Sequence, residues 1–173
     1  DFTLQFVSLG LIALRNSVPD LVSMTVSNAM VIGGTILLYI GLEHFTGKRS
    51  RQIHNYFLLA VFLVVHATFV FAFPSLTVRN ILISLGLLAI CVQSAWLLLR
   101  RVGPEMLPIT RGVGYVFIGF CLVSIARIAV DLVVPLENDF FRSNAFDTLL
   151  LVTYQMLFII LTFSLFLLVN YRL

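Results

Sequence analysis

Arg127 and Asp131 stand four residues apart in an otherwise apolar run. That spacing sets two side chains on one face of a helix. Charged groups in such a run are costly and need a partner. Two chemistries fit. The pair neutralises itself, with the guanidinium snorkelling toward the interface. Alternatively, it lines an outward-facing pocket for an anionic or polar ligand. Arg15, Asp20 and Asp147 are expected at the same depth and would complete such a pocket. His66 is a further titratable group inside an apolar run. One imidazole does not make a metal site, and His54 would stand about 18 Å away along the same helix. An interhelical hydrogen bond is the expected role of His66. Ser23, Ser27, Asn28, Gln93 and Gln155 are expected to act in the same way.

No catalytic pattern accompanies these groups. There is no Gly-rich phosphate loop, no zinc-ligand spacing and no nucleophile with a base beside it. No metal or cofactor is expected, although a bound lipid is plausible. Cys91 and Cys121 fall in apolar runs and are read as small buried hydrophobes.

The elements that must position these residues follow from composition. The 173 residues are 60% hydrophobic and 11% charged, with mean hydropathy +1.06. A soluble domain carries about 25% charged residues. Apolar runs of about 20 residues match the ~30 Å hydrocarbon core of a bilayer. The runs are continuous and do not alternate, which argues against a β-barrel. The expected fold is therefore all-α: a polytopic transmembrane helix bundle of about six segments, forming one domain over 1–173. The net charge of +3 points to no nucleic acid, because the basic residues sit in short connections, as orientation signals do. The expected partners are membrane lipids, a second copy of the chain, or a larger membrane complex.

The expected segments are Phe2–Leu14, Leu21–Leu42, Asn55–Phe73, Ile81–Leu99, Gly112–Val130 and Leu149–Val169. The first is too short to span and is read as a truncated helix. Without an initiator Met or a cleavable signal peptide, the chain is expected to begin part-way through a longer protein. Pro104 and Pro108 are read as helix breakers between the fourth and fifth segments. The Gly33-Gly34 pair is read as a close helix approach. Lys48, Arg49, Arg51, Arg100, Arg101, Arg111 and Arg172 fall on one side; Arg15, Arg79, Arg127 and Arg142 fall on the other. Seven against four places the first side, with the C-terminus, in the cytoplasm.

Within NSVPDLVSMTVSN, residues 16–28, Pro19 and Asp20 suit a helix start. Asp20, Ser23, Ser27 and Gly34 then fall within about 60° of one another at 100° per residue, with Asn28 and Thr35 flanking. The polar stripe is expected to face protein.

Arg15, Pro19, Asp20, Ser23 and Asn28, together with the C-terminal Asn170, Arg172 and Leu173, resemble a known pattern. It is that of the multi-helix membrane input region of bacterial signalling proteins that carry PAS, diguanylate cyclase (GGDEF) or histidine kinase domains downstream. In that family an Arg, then Ile/Val-Pro-Asp, a Ser and an Asn open a transmembrane helix. The last helix ends in an Asn-x-Arg-Leu-like sequence and runs into a signalling helix. The resemblance implies a sensor in a bacterial inner membrane whose output lies outside this chain, because residues 1–173 contain no GGDEF, kinase or PAS signature. Enzymatic activity is accordingly not expected of this chain, only of a parent protein. A structural accessory subunit of a larger membrane complex, contacting lipid or pigment, is the alternative. A small transporter would need Asp20, Ser27, His66, Gln93 and Arg127 to form one polar path, and their expected depths scatter.

Overall fold

The computed structural model describes residues 21–48, 50–73, 75–133 and 145–172, together with Thr3, Leu4, Val7 and Gly10. The described residues form an all-α bundle with no strand among them. Helix α1 opens as a π-wound stretch, Leu21–Val26, and continues as the α-helix Ser27–Phe45. Helix α2 is Ile53–Phe71. Helix α3 is Leu76–Trp96 and ends in a π-wound turn, Leu97–Arg101. Helix α4 is Leu107–Val133, and α5 is Ala145–Arg172. All five are long and apolar enough to cross a membrane, so the chain is a multi-pass membrane protein. The first expected segment, Phe2–Leu14, lies mostly outside the described residues; Thr3, Leu4, Val7 and Gly10 within it are helical.

Helix boundaries follow local chemistry. Ser75 has extended backbone and its hydroxyl accepts from the Val78 amide at 3.4 Å, so α3 begins five residues before its expected start at Ile81. Pro108 does not break a helix. It occupies the first turn of α4, where a missing amide hydrogen costs nothing, and α4 therefore begins before Gly112. At the end of α1, Gly47 has φ of 69°. Its amide donates to the His44 carbonyl at 3.2 Å, and the Lys48 amide donates to the Glu43 carbonyl at 2.9 Å. These two bonds close a Schellman turn, which favours glycine at the left-handed position. Consequently Glu43 belongs to α1 and not to the connecting loop.

Helix α3 is the hub, packing against α1, α2 and α4, whereas α5 packs chiefly on α4. Ile32, Ile36, Ile90, Leu97, Leu98, Val113 and Phe117 form the dry centre. Of the Gly33-Gly34 pair, Gly33 has open space around it, whereas Gly34 is buried. Close approaches occur at Gly86 against Ile32, Gly114 against Leu99 and Gly119 against Leu157. Small residues at these crossings let backbones approach where lipid gives no hydrophobic drive for association. The outer faces of α2 and α5 carry exposed Phe57, Val64, Leu149, Phe163 and Phe166, as a lipid-facing surface requires.

Candidate functional site

Buried polar groups gather at two levels of the bundle, with Ile32, Ile36, Phe62, Ile90 and Phe117 between them; the Glu43 end is called inner and the Arg127 end outer, after the orientation expected from the basic residues. The inner level is built around Glu43, which is 2% exposed. Its carboxylate accepts from the Tyr39 hydroxyl at 3.0 Å, the Ser50 hydroxyl at 2.6 Å and the Gln52 amide. Gln52 accepts from Asn55 at 2.8 Å, and Asn55 accepts from Gln93 at 3.0 Å. The Gln93 carbonyl oxygen lies 3.0 Å from His54 Nε2, a ring nitrogen that can donate to it. This chain of bonds ties the inner ends of α1, α2 and α3 together. A buried carboxylate is tolerable only when its oxygens are satisfied in this way. Nearby, at the π-wound turn of α3, the Thr110 hydroxyl donates to the Leu98 oxygen at 3.0 Å.

The outer level begins at the π-wound start of α1. His66 is fully buried, with its ring nitrogens 3.4 Å from Thr25 Oγ1 and 3.4 Å from Asn28 Nδ2. Its ring also packs at 5.1 Å on Phe62. Asn28 donates to the Met24 carbonyl at 2.7 Å, and an Arg79 Nη1 lies 3.3 Å from Met24 Sδ. On α3, Asn80 and Ser84 are buried and fall within about 20° of Cys91 at 100° per residue, and Cys91 lies in electrostatic reach of Cys121 on α4, which also buries Ser124 and Asp131. The Ser124 and Tyr154 hydroxyls share a hydrogen bond at 2.8 Å. Arg127 lies within electrostatic reach of Tyr154.

Helix register shows that these groups share one depth. Helices α3 and α4 run antiparallel, and Thr110 meets Leu98 while Gly114 meets Leu99. Helices rise equally per residue, so carrying that register outward sets Ser84 level with residues 124–129 and Asn80 level with residues 128–133. Helix α1 runs parallel to α3, with Met24 beside Arg79 and Ile32 beside Gly86. On α5, the Ser124–Tyr154 and Gly119–Leu157 contacts set the Asp147 backbone near the level of Arg127 and Asp131. One outer layer thus contains Thr25, Asn28, His66, Arg79, Asn80, Ser84, Arg127 and Asp131.

Among the residues expected to form a site, Arg127 and Asp131 lie in this outer layer. Arg15 and Asp20 lie outside the described residues, as do the side chains of Ser23 and Asp147. Asn28 and His66 meet each other across α1 and α2. Gln93 bridges α3 to α2, but in the inner layer. Ser27 and Thr35 are buried as the stripe requires, yet they donate back to Met24 and Val31 of their own helix. The even 100° step also fails over Leu21–Val26, where the helix is π-wound. Gln155 is exposed on α5, and Thr153 bonds its own Leu149 carbonyl. Trp96, Tyr115 and Tyr171 are exposed, but Tyr39 is buried in the inner network.

Glu43, Asn55, Ser84 and Tyr154 were missed by sequence reasoning. A signal for Glu43 existed: continued at 100° per residue, it falls within about 40° of Ile32, Ile36 and Tyr39 on the buried face. Compared with known proteins, the chain matches no family model, no curated protein and no solved structure.

Proposed function

We propose that this chain is a sensory or signal-transduction input domain of a bacterial inner membrane, which passes a ligand or membrane signal through α5 to a downstream cytoplasmic module. The observation that carries this reading is the position of the last helix. Helix α5 leans chiefly on α4, and the Ser124–Tyr154 hydrogen bond joins the two beside Arg127 in the outer layer. A change at that layer is therefore felt directly by α5. The inner network holds α1, α2 and α3 as a unit, leaving α5 the least restrained element. A helix so placed can shift or rotate against a fixed frame, the movement that relays a signal between two packings of similar free energy. The resemblance of the Arg15–Asn28 and Asn170–Leu173 patterns to membrane input regions supports the same reading. So does the excess of basic residues on the side that contains Lys48, Arg101 and Arg172. In this reading the chain performs no catalysis, and its inner side and C-terminus face the cytoplasm.

The test measures whether α5 has two positions. Cys91 and Cys121 are replaced by alanine, and spin labels are placed at the exposed Ile53 and Val169. Distances between the labels are measured by electron paramagnetic resonance in bilayers. The expected result is two populations whose ratio changes about three- to tenfold in Tyr154→Phe, the worth of one hydrogen bond. One narrow distance, identical in both proteins, would sink the signalling role.

A further inference from the structure

We propose that the outer seam between α3, α4 and α5 is a binding site for a singly charged oxyanion, held by Arg127 and Ser84. The proposal deepens the signalling reading by supplying the input that reading needs. Two donors in the seam are buried without a hydrogen-bond partner among the described residues: the Arg127 Nε and the Ser84 Oγ. Ser84 is 1% exposed, so bulk water does not satisfy it. Buried donors are nearly always paired, and an orphan points to a group that belongs there. Here there are two, one of them cationic. The register derived above sets Ser84 level with residues 124–129, the stretch that contains Arg127. Both positions lie on the α3 and α4 flanks of one seam. Tyr154, in electrostatic reach of Arg127, closes the third side from α5.

The chemistry selects the ligand. A guanidinium Nε–H and a hydroxyl at one level of a seam suit an acceptor with more than one oxygen, such as a carboxylate or a phosphodiester. Asp131 stands one turn from Arg127 and is buried at the same depth. Its carboxylate repels a second negative charge, so a singly charged group is favoured over a dianion such as free phosphate. Such a group reaches an outer seam from two sources: the phosphodiester of an anionic lipid headgroup, or the carboxylate of a small solute outside the membrane. Either would draw Arg127 toward itself and alter the Ser124–Tyr154 contact on which α5 rests.

The purified chain is offered phosphatidylglycerol in native mass spectrometry, with phosphatidylcholine of the same acyl chains as reference, and hexanoate in a thermal-shift titration. Saturable, selective binding of phosphatidylglycerol identifies the lipid source; a saturable shift with hexanoate identifies the solute source. For whichever probe binds, Arg127→Gln should weaken binding about tenfold, the loss of one charged hydrogen bond. Ser84→Ala should weaken it about threefold or more while leaving the melting temperature without ligand unchanged or raised, because it removes an unsatisfied buried hydroxyl. If Arg127→Gln does not fold, Ser84→Ala decides alone. Saturable binding of neither probe, or unchanged affinity in Ser84→Ala, overturns the site. Binding that leaves the Ile53–Val169 distances unmoved keeps the site and removes the signalling role instead.

Discussion

Glu43 shows how a single residue can hold three helices. Its carboxylate collects donors from Tyr39 on its own helix and from Ser50 and Gln52 in the connection to α2. Through Asn55 and Gln93 the same network reaches α3. Glu43→Ala would strand those donors, at a cost of about 2–3 kcal/mol. Gln155→Ala, at an exposed position on α5, should change stability by less than about 0.5 kcal/mol. Thermal unfolding of both variants in one detergent checks the contrast. Equal melting temperatures would show that the inner network does not stabilise the bundle. His66 differs from Glu43 in kind: its nitrogens sit at 3.4 Å from Thr25 and Asn28, long for hydrogen bonds. Its packing on Phe62 and full burial therefore carry more of its role than those contacts do.

Helix crossings depend on what a glycine faces. A methyl group on Gly114 would stand 2.7 Å from Leu99 Cδ2 and 2.8 Å from its Cγ, so the whole leucine head must move. On Gly119 it would stand 3.0 Å from Leu157 Cδ2, a chain end that can turn aside. Gly114→Ala is therefore expected to cost about 1–3 kcal/mol, the usual range for overpacking, and Gly119→Ala less. Chemical denaturation in mixed micelles ranks the two; the reverse order would contradict the packing of α3 on α4. The end of α1 depends on backbone conformation instead. Gly47→Ala places a Cβ at φ of 69° with open space around it, so the expected cost of about 1–2 kcal/mol is purely that of the left-handed conformation.

At the scale of the whole molecule, α1, α2 and α3 form a tied unit, and α4 links that unit to the least restrained helix, α5. The orientation of this assembly is open to direct measurement. With Cys91 and Cys121 replaced, single cysteines at Lys48 and Gly103 should stay unlabelled by a membrane-impermeant maleimide in intact cells and react after lysis. They lie in the basic connections, which the seven-to-four imbalance of Lys and Arg leads one to expect inside. Labelling of both positions from outside would invert the topology and place the Arg127 layer at the cytoplasmic face.

Hydropathy alone determines that this chain is a helical membrane bundle, because a lipid core leaves only closed hydrogen-bonding structures and continuous apolar runs choose helices over barrels. The spacing of Arg127 and Asp131 likewise shows that they share a helix face. Helix ends were less legible. Pro108 reads as a breaker until the first turn of α4 is seen to accept it, and Glu43 reads as loop until Gly47 closes the turn behind it. The partners of the polar groups were not legible at all. In a chain apolar on every side, periodicity does not say which face meets a neighbour and which meets lipid, so Gln93 and Gln155 look equivalent. Only the tertiary structure separates them, burying Asn55 beside Gln93 and leaving Gln155 at the surface. It also sets Ser84 level with Arg127, since helix register follows from crossings such as Leu99 on Gly114, which depend on two distant segments at once.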